Sequence, residues 1–246
     1  MYSLKSSGFG LAGHPLWNSN LTAGLMTVRA KARSRPKERY ERRRLEVLHA
    51  AARTFNIRGF HVATLDDVAD ELGVTKPAIY YYAKSKDELL SACAQMALEA
   101  LEAALRNSRT PDPGPPERVR RFFAFYAETI CEDFGRCLVL TEPRDLAPAS
   151  RKTNIAARRA LNRGVREIIR EGIAVGIFRP CDDLALASAM FDAINGLAKW
   201  FDPKGATPLP KMVQEYLDIF LYGVTEKPTG SSRRARQLPK QRASKV

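Results

Sequence analysis

Three histidines and four cysteines in 246 residues leave little material for metal or nucleophilic chemistry. The histidines stand at 14, 49 and 61, none at ligand spacing from a cysteine. Cys131 and Cys137 are too far apart for a zinc knuckle arm. The cysteines are also too few for a disulfide scaffold in a chain this long. Cys93 and Cys181 read as small buried apolar residues, and a thiol sensor built from Cys131 and Cys137 is the alternative use of the other two. No run approaches the roughly 18 apolar residues of a membrane span. The 15 Gly and 15 Pro follow no three-residue period, which excludes collagen. Phosphate-binding glycine loops and dinucleotide fingerprints are missing as well. The sequence thus assembles no catalytic set, and no enzyme activity, cofactor or metal is expected.

Acidic charge is scarce at both ends. Residues 1–44 hold ten Lys/Arg against two Glu, and residues 227–246 hold seven Lys/Arg and no acid. The body between them is nearly neutral, although the chain as a whole carries +13. Cationic tails seek polyanions. The start of the chain is not a secretory signal: after Lys5 the apolar stretch is broken by Gly8, Gly10 and Gly13. Met26, followed by a basic lead, is the expected true start of translation. Mass spectrometry of the native protein that finds residues 1–25 would refute this.

No β-alternation and no internal repeat is present, and the periodic segments read as helix. Leu45, Leu48, Ala52 and Phe55 recur at helical spacing over about 37–57, with Gly59 as a C-cap. Thr64 suits an N-cap, followed by acids in the first turn. Leu65, Val68, Ala69 and Leu72 form one face, and Gly73 ends that short helix. Thr75 opens another, with Pro77 in its first turn. Ser85 and Glu88 form a capping box for a helix reaching about 107. The Pro/Gly-rich segment 111–116 breaks the chain, and five helices follow near 117–133, 136–141, 149–175, 182–201 and 208–224. The expected organisation is a disordered basic extension at 1–36 and a three-helix DNA-binding domain at 37–102. A helical body at 103–226 and a disordered basic tail at 227–246 complete it.

The stretch 64–83 has the spacing of a helix-turn-helix. Ala69 permits a close crossing, Gly73 can take a left-handed turn, and Ile79 packs beneath the crossing. The second helix would lie in the major groove and expose Thr75, Lys76, Pro77, Ala78, Tyr80 and Tyr81. Lys76 can donate to guanine acceptors or phosphate, and Pro77 and Ala78 can meet a thymine methyl. The tyrosine hydroxyls, Lys86 and the helix start at Thr64 are candidates for phosphate. A half-buried core edge is the competing reading of the tyrosines.

From Thr64 to Leu90, the ordered run of helix, turn, tyrosines and Lys-Ser-Lys-Asp-Glu-Leu-Leu resembles the TetR family of bacterial transcriptional regulators. The resemblance spans about 42–102. It implies DNA contacts from Thr75, Lys76, Ala78 and Tyr80, a phosphate contact from Lys86, and cytoplasmic localisation. Ala83 departs from the aromatic usual at its position; Tyr82 or Phe60 is expected to fill the volume. Pro77 replaces a common glycine.

The family's second domain binds a ligand and dimerises. The helix at 182–201 carries Ala185, Ala189, Ala193 and Gly196 on one stripe and Leu186, Met190, Ile194 and Leu197 on the opposite one. With Tyr216 and Phe220 of the last helix, the small-residue stripe is a candidate homodimer interface. Phe123, Tyr126, Phe134, Arg158 and Trp200 are the candidate ligand residues, with core packing as the alternative for the aromatics. The segment 171–180 and Lys199-Trp-Phe-Asp-Pro203 are similar to a branch that regulates lipid catabolism and senses acyl-CoA thioesters. Asp202 stands where that branch usually has Arg. The expected function is a homodimeric repressor on a near-palindromic operator, released by a small hydrophobic or acyl-CoA-type effector. Its partners are then double-stranded DNA, the effector and a second copy, with no membrane. A non-specific architectural DNA-binding protein is the alternative. An enzyme on the helical body is a further rival that no residue set supports.

Overall fold

The computed structural model describes residues 36–223; the basic extension, Met26 and the basic tail lie outside them. Among the described residues there are nine α-helices and no strand. They are α1 (Pro36–Arg58), α2 (Leu65–Leu72), α3 (Lys76–Tyr80), α4 (Lys86–Asn107), α5 (Pro115–Cys131), α6 (Asp133–Leu140), α7 (Pro148–Ala174), α8 (Asp183–Trp200) and α9 (Leu209–Tyr222). A 3-10 turn, Pro143–Asp145, precedes α7. The all-helical expectation therefore holds. The prolines at 115, 116 and 148 begin helices rather than precede them, because a first-turn residue needs no backbone donor.

Two buried apolar clusters form from these helices. One joins Val47, Leu48, Ala51, Phe55, Val68, Ala69, Ile79, Leu89, Leu90 and Cys93 with Cys137 and Leu146. The other begins at Ala94 and gathers the inner faces of α4, α5, α7, α8 and α9 around Phe122, Phe123, Ile168 and Met190. The division falls within α4: its first two turns belong to the first cluster and the remainder to the second. A continuous helix of 22 residues is about 33 Å long. The helix thus contributes to both clusters.

Local chemistry explains the boundaries. Gly73 sits in the left-handed region at φ 63°, and its N–H and that of Val74 close α2 onto Asp70 and Ala69 carbonyls. Ser85 Oγ accepts the Glu88 N–H as expected, but the Glu88 carboxylate reaches back to Lys84 N–H (2.7 Å). Gly172 makes room for a neighbour: any Cβ there would collide with the Phe178 ring, which folds back over α7.

Candidate nucleic-acid interface

The helix-turn-helix is built around Ile79, which is fully buried and aligned beneath Ala69 and Val68 in the first cluster. With Ile79 facing inward, α3 turns its other residues outward. Thr75 and Pro77 are exposed, Tyr80 is 49% and Tyr81 71% exposed, and Lys76 and Ala78 are half-exposed. The α-helix proper ends at Tyr80, and Tyr82 and Ala83 donate to the Ile79 carbonyl in the turn that follows. Thr75 holds the N-cap position without using its side chain there, so its hydroxyl does not serve the cap. Phe60 and Tyr82 both pack against the cluster that holds Ala83. Phe60 lies edge-on to Phe55 at 5.4 Å.

Lys76 is held. Its Nζ donates to Asp66 Oδ2 on α2 at 2.8 Å, and the Asp66 hydrogen bond and charge raise the Lys76 pKa. Thr64 is engaged in a complete capping box. Its Oγ1 accepts the Asp67 N–H, and its own N–H and hydroxyl donate to Asp67 Oδ2. Those bonds, with Arg58 at 3.0 Å, keep the Asp67 carboxyl below its ordinary range. A phosphate approaching this helix start would meet two carboxylates beside the free amides.

Lys86 differs most from its expected use. Its ammonium donates to the Phe60, His61 and Ala63 carbonyls at 2.8, 3.2 and 3.0 Å and lies over the Phe60 ring at 4.7 Å. A lysine has three N–H donors, and these three bonds use them all. In this structure Lys86 is a clamp on the α1–α2 loop, not a phosphate donor held ready.

Residues that spacing did not single out bind this half of the molecule to the other. Asp133, the first residue of α6, takes His49 Nδ1 at 3.2 Å and Arg53 Nη1 at 3.3 Å on Oδ2. Asn56 Nδ2 donates to its carbonyl at 2.9 Å, and Phe134 stacks on His49 at 4.3 Å. His61 pairs with Asp145 of the 3-10 turn at 3.0 Å. About eighty residues separate these partners, so no local pattern signals them.

The candidate ligand residues do not converge. Phe123 is fully buried among Phe122, Tyr126 and Phe191 and packs as core. Phe134 lies at the seam beside His49. Trp200 is 54% exposed and lies beside Gly196, apart from the buried aromatic cluster. Tyr126 and Arg158 stay together. The Tyr126 hydroxyl donates to Asn195 Oδ1 at 2.7 Å, and burial pushes its pKa up to about 12. Arg158 donates to Asn154 Oδ1 (2.7 Å) and the Leu138 carbonyl (2.6 Å), both neutral acceptors, and its desolvation lowers its pKa. A neighbouring cleft of about 410 Å³ is lined by α4 and α7 residues including Ser91, Gln95, Thr153 and Asn154. Among the described residues the buried Ser91 hydroxyl has no hydrogen-bond partner.

On α8, Ala185 and Ala189 are exposed and Ala193 and Gly196 half-buried, while Met190, Ile194 and Leu197 face inward. Tyr216 and Phe220 of α9 are half-buried, and Leu184, Ile219 and Tyr222 are exposed. Cys93 Sγ donates to the Leu48 carbonyl at 3.4 Å, and burial raises the Cys131 thiol to about 11. Such a thiol is a poor nucleophile. No group of metal-binding side chains occurs among the described residues, and no helix there is long and apolar enough to cross a membrane.

An all-helical array of described residues, with an exposed five-residue helix behind a left-handed glycine turn joined by one continuous helix to a larger bundle, has the architecture of a helix-turn-helix regulator. Comparison with known proteins agrees. Residues 47–93 match the model for bacterial regulatory proteins of the tetR family, and residues 112–224 match the tetracyclin repressor-like C-terminal domain. The HTH-type transcriptional repressor KstR2 of Mycobacterium tuberculosis (strain ATCC 25618 / H37Rv) is 29% identical over 187 residues, covering 75% of this chain and 94% of that one. Its solved structure superposes with a TM-score of 0.69 at 26% identity, over 75% of this chain and 96% of that chain. PfmR, a TetR family regulator from Thermus thermophilus, gives 0.67 at 29% identity, over 73% and 99%. The chain belongs to the TetR family of bacterial transcriptional regulators.

Proposed function

We propose that this regulator binds a near-palindromic operator as a homodimer, represses by default, and is released by a small hydrophobic or acyl-CoA-type effector. The observation that carries the reading is the orientation of α3. Ile79 is sequestered while Thr75, Lys76, Pro77, Ala78, Tyr80 and Tyr81 face outward. In that arrangement the outward residues meet base edges and phosphates, with Thr64 at the edge of the same surface.

Dimerisation follows from α8 and α9. Exposed alanines at four-residue spacing allow close approach of a symmetry-related helix, and Leu184, Trp200, Ile219 and Tyr222 supply apolar area around them. One recognition helix per subunit then sets two half-sites about one DNA turn apart. The proposed division places the DNA-binding domain at 37–102 and the effector domain at 103–226.

The effector reading rests on two supports. A related repressor, KstR2, is described as a ketosteroid transcriptional regulator. In this chain, Arg158 holds a desolvated positive charge on neutral acceptors next to Tyr126 and Asn195. A ligand with an apolar body and an anionic or strongly accepting group satisfies that charge. Because α4 contributes to both clusters, a ligand that moves its C-terminal half changes the separation of the two recognition helices. An effector that prefers the separated state releases DNA in proportion to that preference.

Selection of bound duplexes from genomic DNA with the purified full chain tests the reading. The expected product is a near-palindrome holding two chains per duplex, released by one member of an acyl-CoA series graded by acyl length. Recovery of DNA with no preferred sequence favours the architectural alternative. A single chain per site overturns the dimer.

A further inference from the structure

Lys76 is the one cation within α3, whose sequence is Lys-Pro-Ala-Ile-Tyr. The proposed function assigns it to base edges, and the present inference rests on that reading. The side chain is nevertheless not a loose arm. Asp66, in the first turn of α2, accepts one of its ammonium N–H groups at 2.8 Å, from ten residues back across the glycine turn. Both partners face solvent, with 41% of the Lys76 side chain and 60% of the Asp66 side chain exposed. The helix start does not depend on Asp66, because Thr64 and Asp67 complete the cap between themselves.

Two physical consequences follow, with opposite dependence on DNA sequence. One N–H on Asp66 leaves two for a base edge, and an arm already anchored loses less rotamer freedom on docking than a free one. This favours a duplex whose acceptors stand where the anchored ammonium points. The Asp66 carboxylate also carries negative charge on the face that phosphates approach. That repulsion acts on every duplex alike. Together they raise the reward for the right base and lower the background for all others.

We propose that Asp66 is a positioning residue for base selection, acting through Lys76. The test is a double-mutant cycle of D66N and K76A. Affinity is measured for the duplex selected by the purified chain and for a scrambled duplex of equal length. D66N alone is expected to weaken the selected duplex and strengthen the scrambled one, each by roughly two- to fivefold, the range of an exposed pair. The salt dependence on scrambled DNA should steepen by about one counterion as Lys76 turns to phosphate. In the K76A background only the charge effect remains, so D66N should leave the ratio of the two affinities unchanged within about twofold. An unaltered melting temperature confirms that the fold is retained. A ratio untouched by D66N in the parent chain overturns the proposal, and so does an equal fall in the K76A background. Both results leave the regulator reading standing. A parent chain that selects no duplex overturns that reading and the role of Asp66 with it.

Discussion

Lys86→Met removes the clamp on the α1–α2 loop while keeping an apolar stem of similar length. Three carbonyls at 2.8, 3.0 and 3.2 Å lose a cationic donor, and the Phe60 ring loses the ammonium above it. Hydrogen bonds to charged groups contribute about 1.5–3 kcal/mol when shielded. The loop is partly open to water, which replaces much of each bond, so about 1 kcal/mol apiece is the appropriate scale. The ring contact adds roughly 0.5 kcal/mol at an exposed site. The expected loss is about 3.5 kcal/mol, or roughly 7–14 °C in melting temperature for a domain of this size. Lys86→Arg should recover only part of it, because a planar guanidinium cannot converge on three carbonyls as an ammonium does. Thermal melting by circular dichroism reads the first effect. Measured well below the melting point, the salt slope of DNA binding should stay within the error of the parent chain. An unchanged melting temperature with a slope smaller by about one would make Lys86 a phosphate contact and refute the clamp.

Gly73→Ala meets no neighbouring atom but forces a side chain into φ 63°, so a cost of about 1 kcal/mol and a fall of roughly 2–4 °C are expected on thermal melting. Tyr126→Phe strands the Asn195 oxygen and should cost about 1–2 kcal/mol in denaturant unfolding. It should also delete from the ultraviolet titration a phenol that ionises only near 12, since burial favours its neutral form. Asp183 is held below the usual carboxyl range by hydrogen bonds from Arg166 and Arg170. Its contribution to stability is therefore complete above the ordinary carboxyl pKa and drains away as pH falls through the lowered one. Asp183→Asn should melt lower than the parent at neutral pH and converge with it on acidification; parallel curves would dismiss the pairing.

The fold was legible because its punctuation is local. Thr64, Gly73, Ser85 and Asp182 close helices through bonds to residues two to four positions away, and each is recognisable from its own neighbourhood. Ile79 and Ala69 followed from spacing for the same reason. What stayed hidden depends on partners that no period connects. Lys86 reads as a phosphate contact from its place after the tyrosines, and only the folded loop shows three carbonyls around it, 23–26 residues away in sequence. Asp66 reads as a dipole-matching acid until α3 folds back against it. Asp133, which the sequence pattern puts at the end of a helix near 117–133, starts the next one and takes His49 and Arg53 from about eighty residues upstream. Trp200 shares an apolar pattern with its helix, yet the pattern does not say which apolar stripe faces the core. On α8 the larger aliphatics took the inside and left Trp200 half out.

The central claim is that the outward face of α3, presented twice by a dimer, reads DNA. Native mass measurement and affinity on the selected duplex, for the parent chain and for a Lys76→Ala, Tyr80→Ala double variant, test it most directly. The account predicts two chains on each parent duplex, and a variant that still pairs and melts normally but loses preference for its site by at least about tenfold. Retention of that preference by the double variant, or one chain per duplex in the parent, would contradict it.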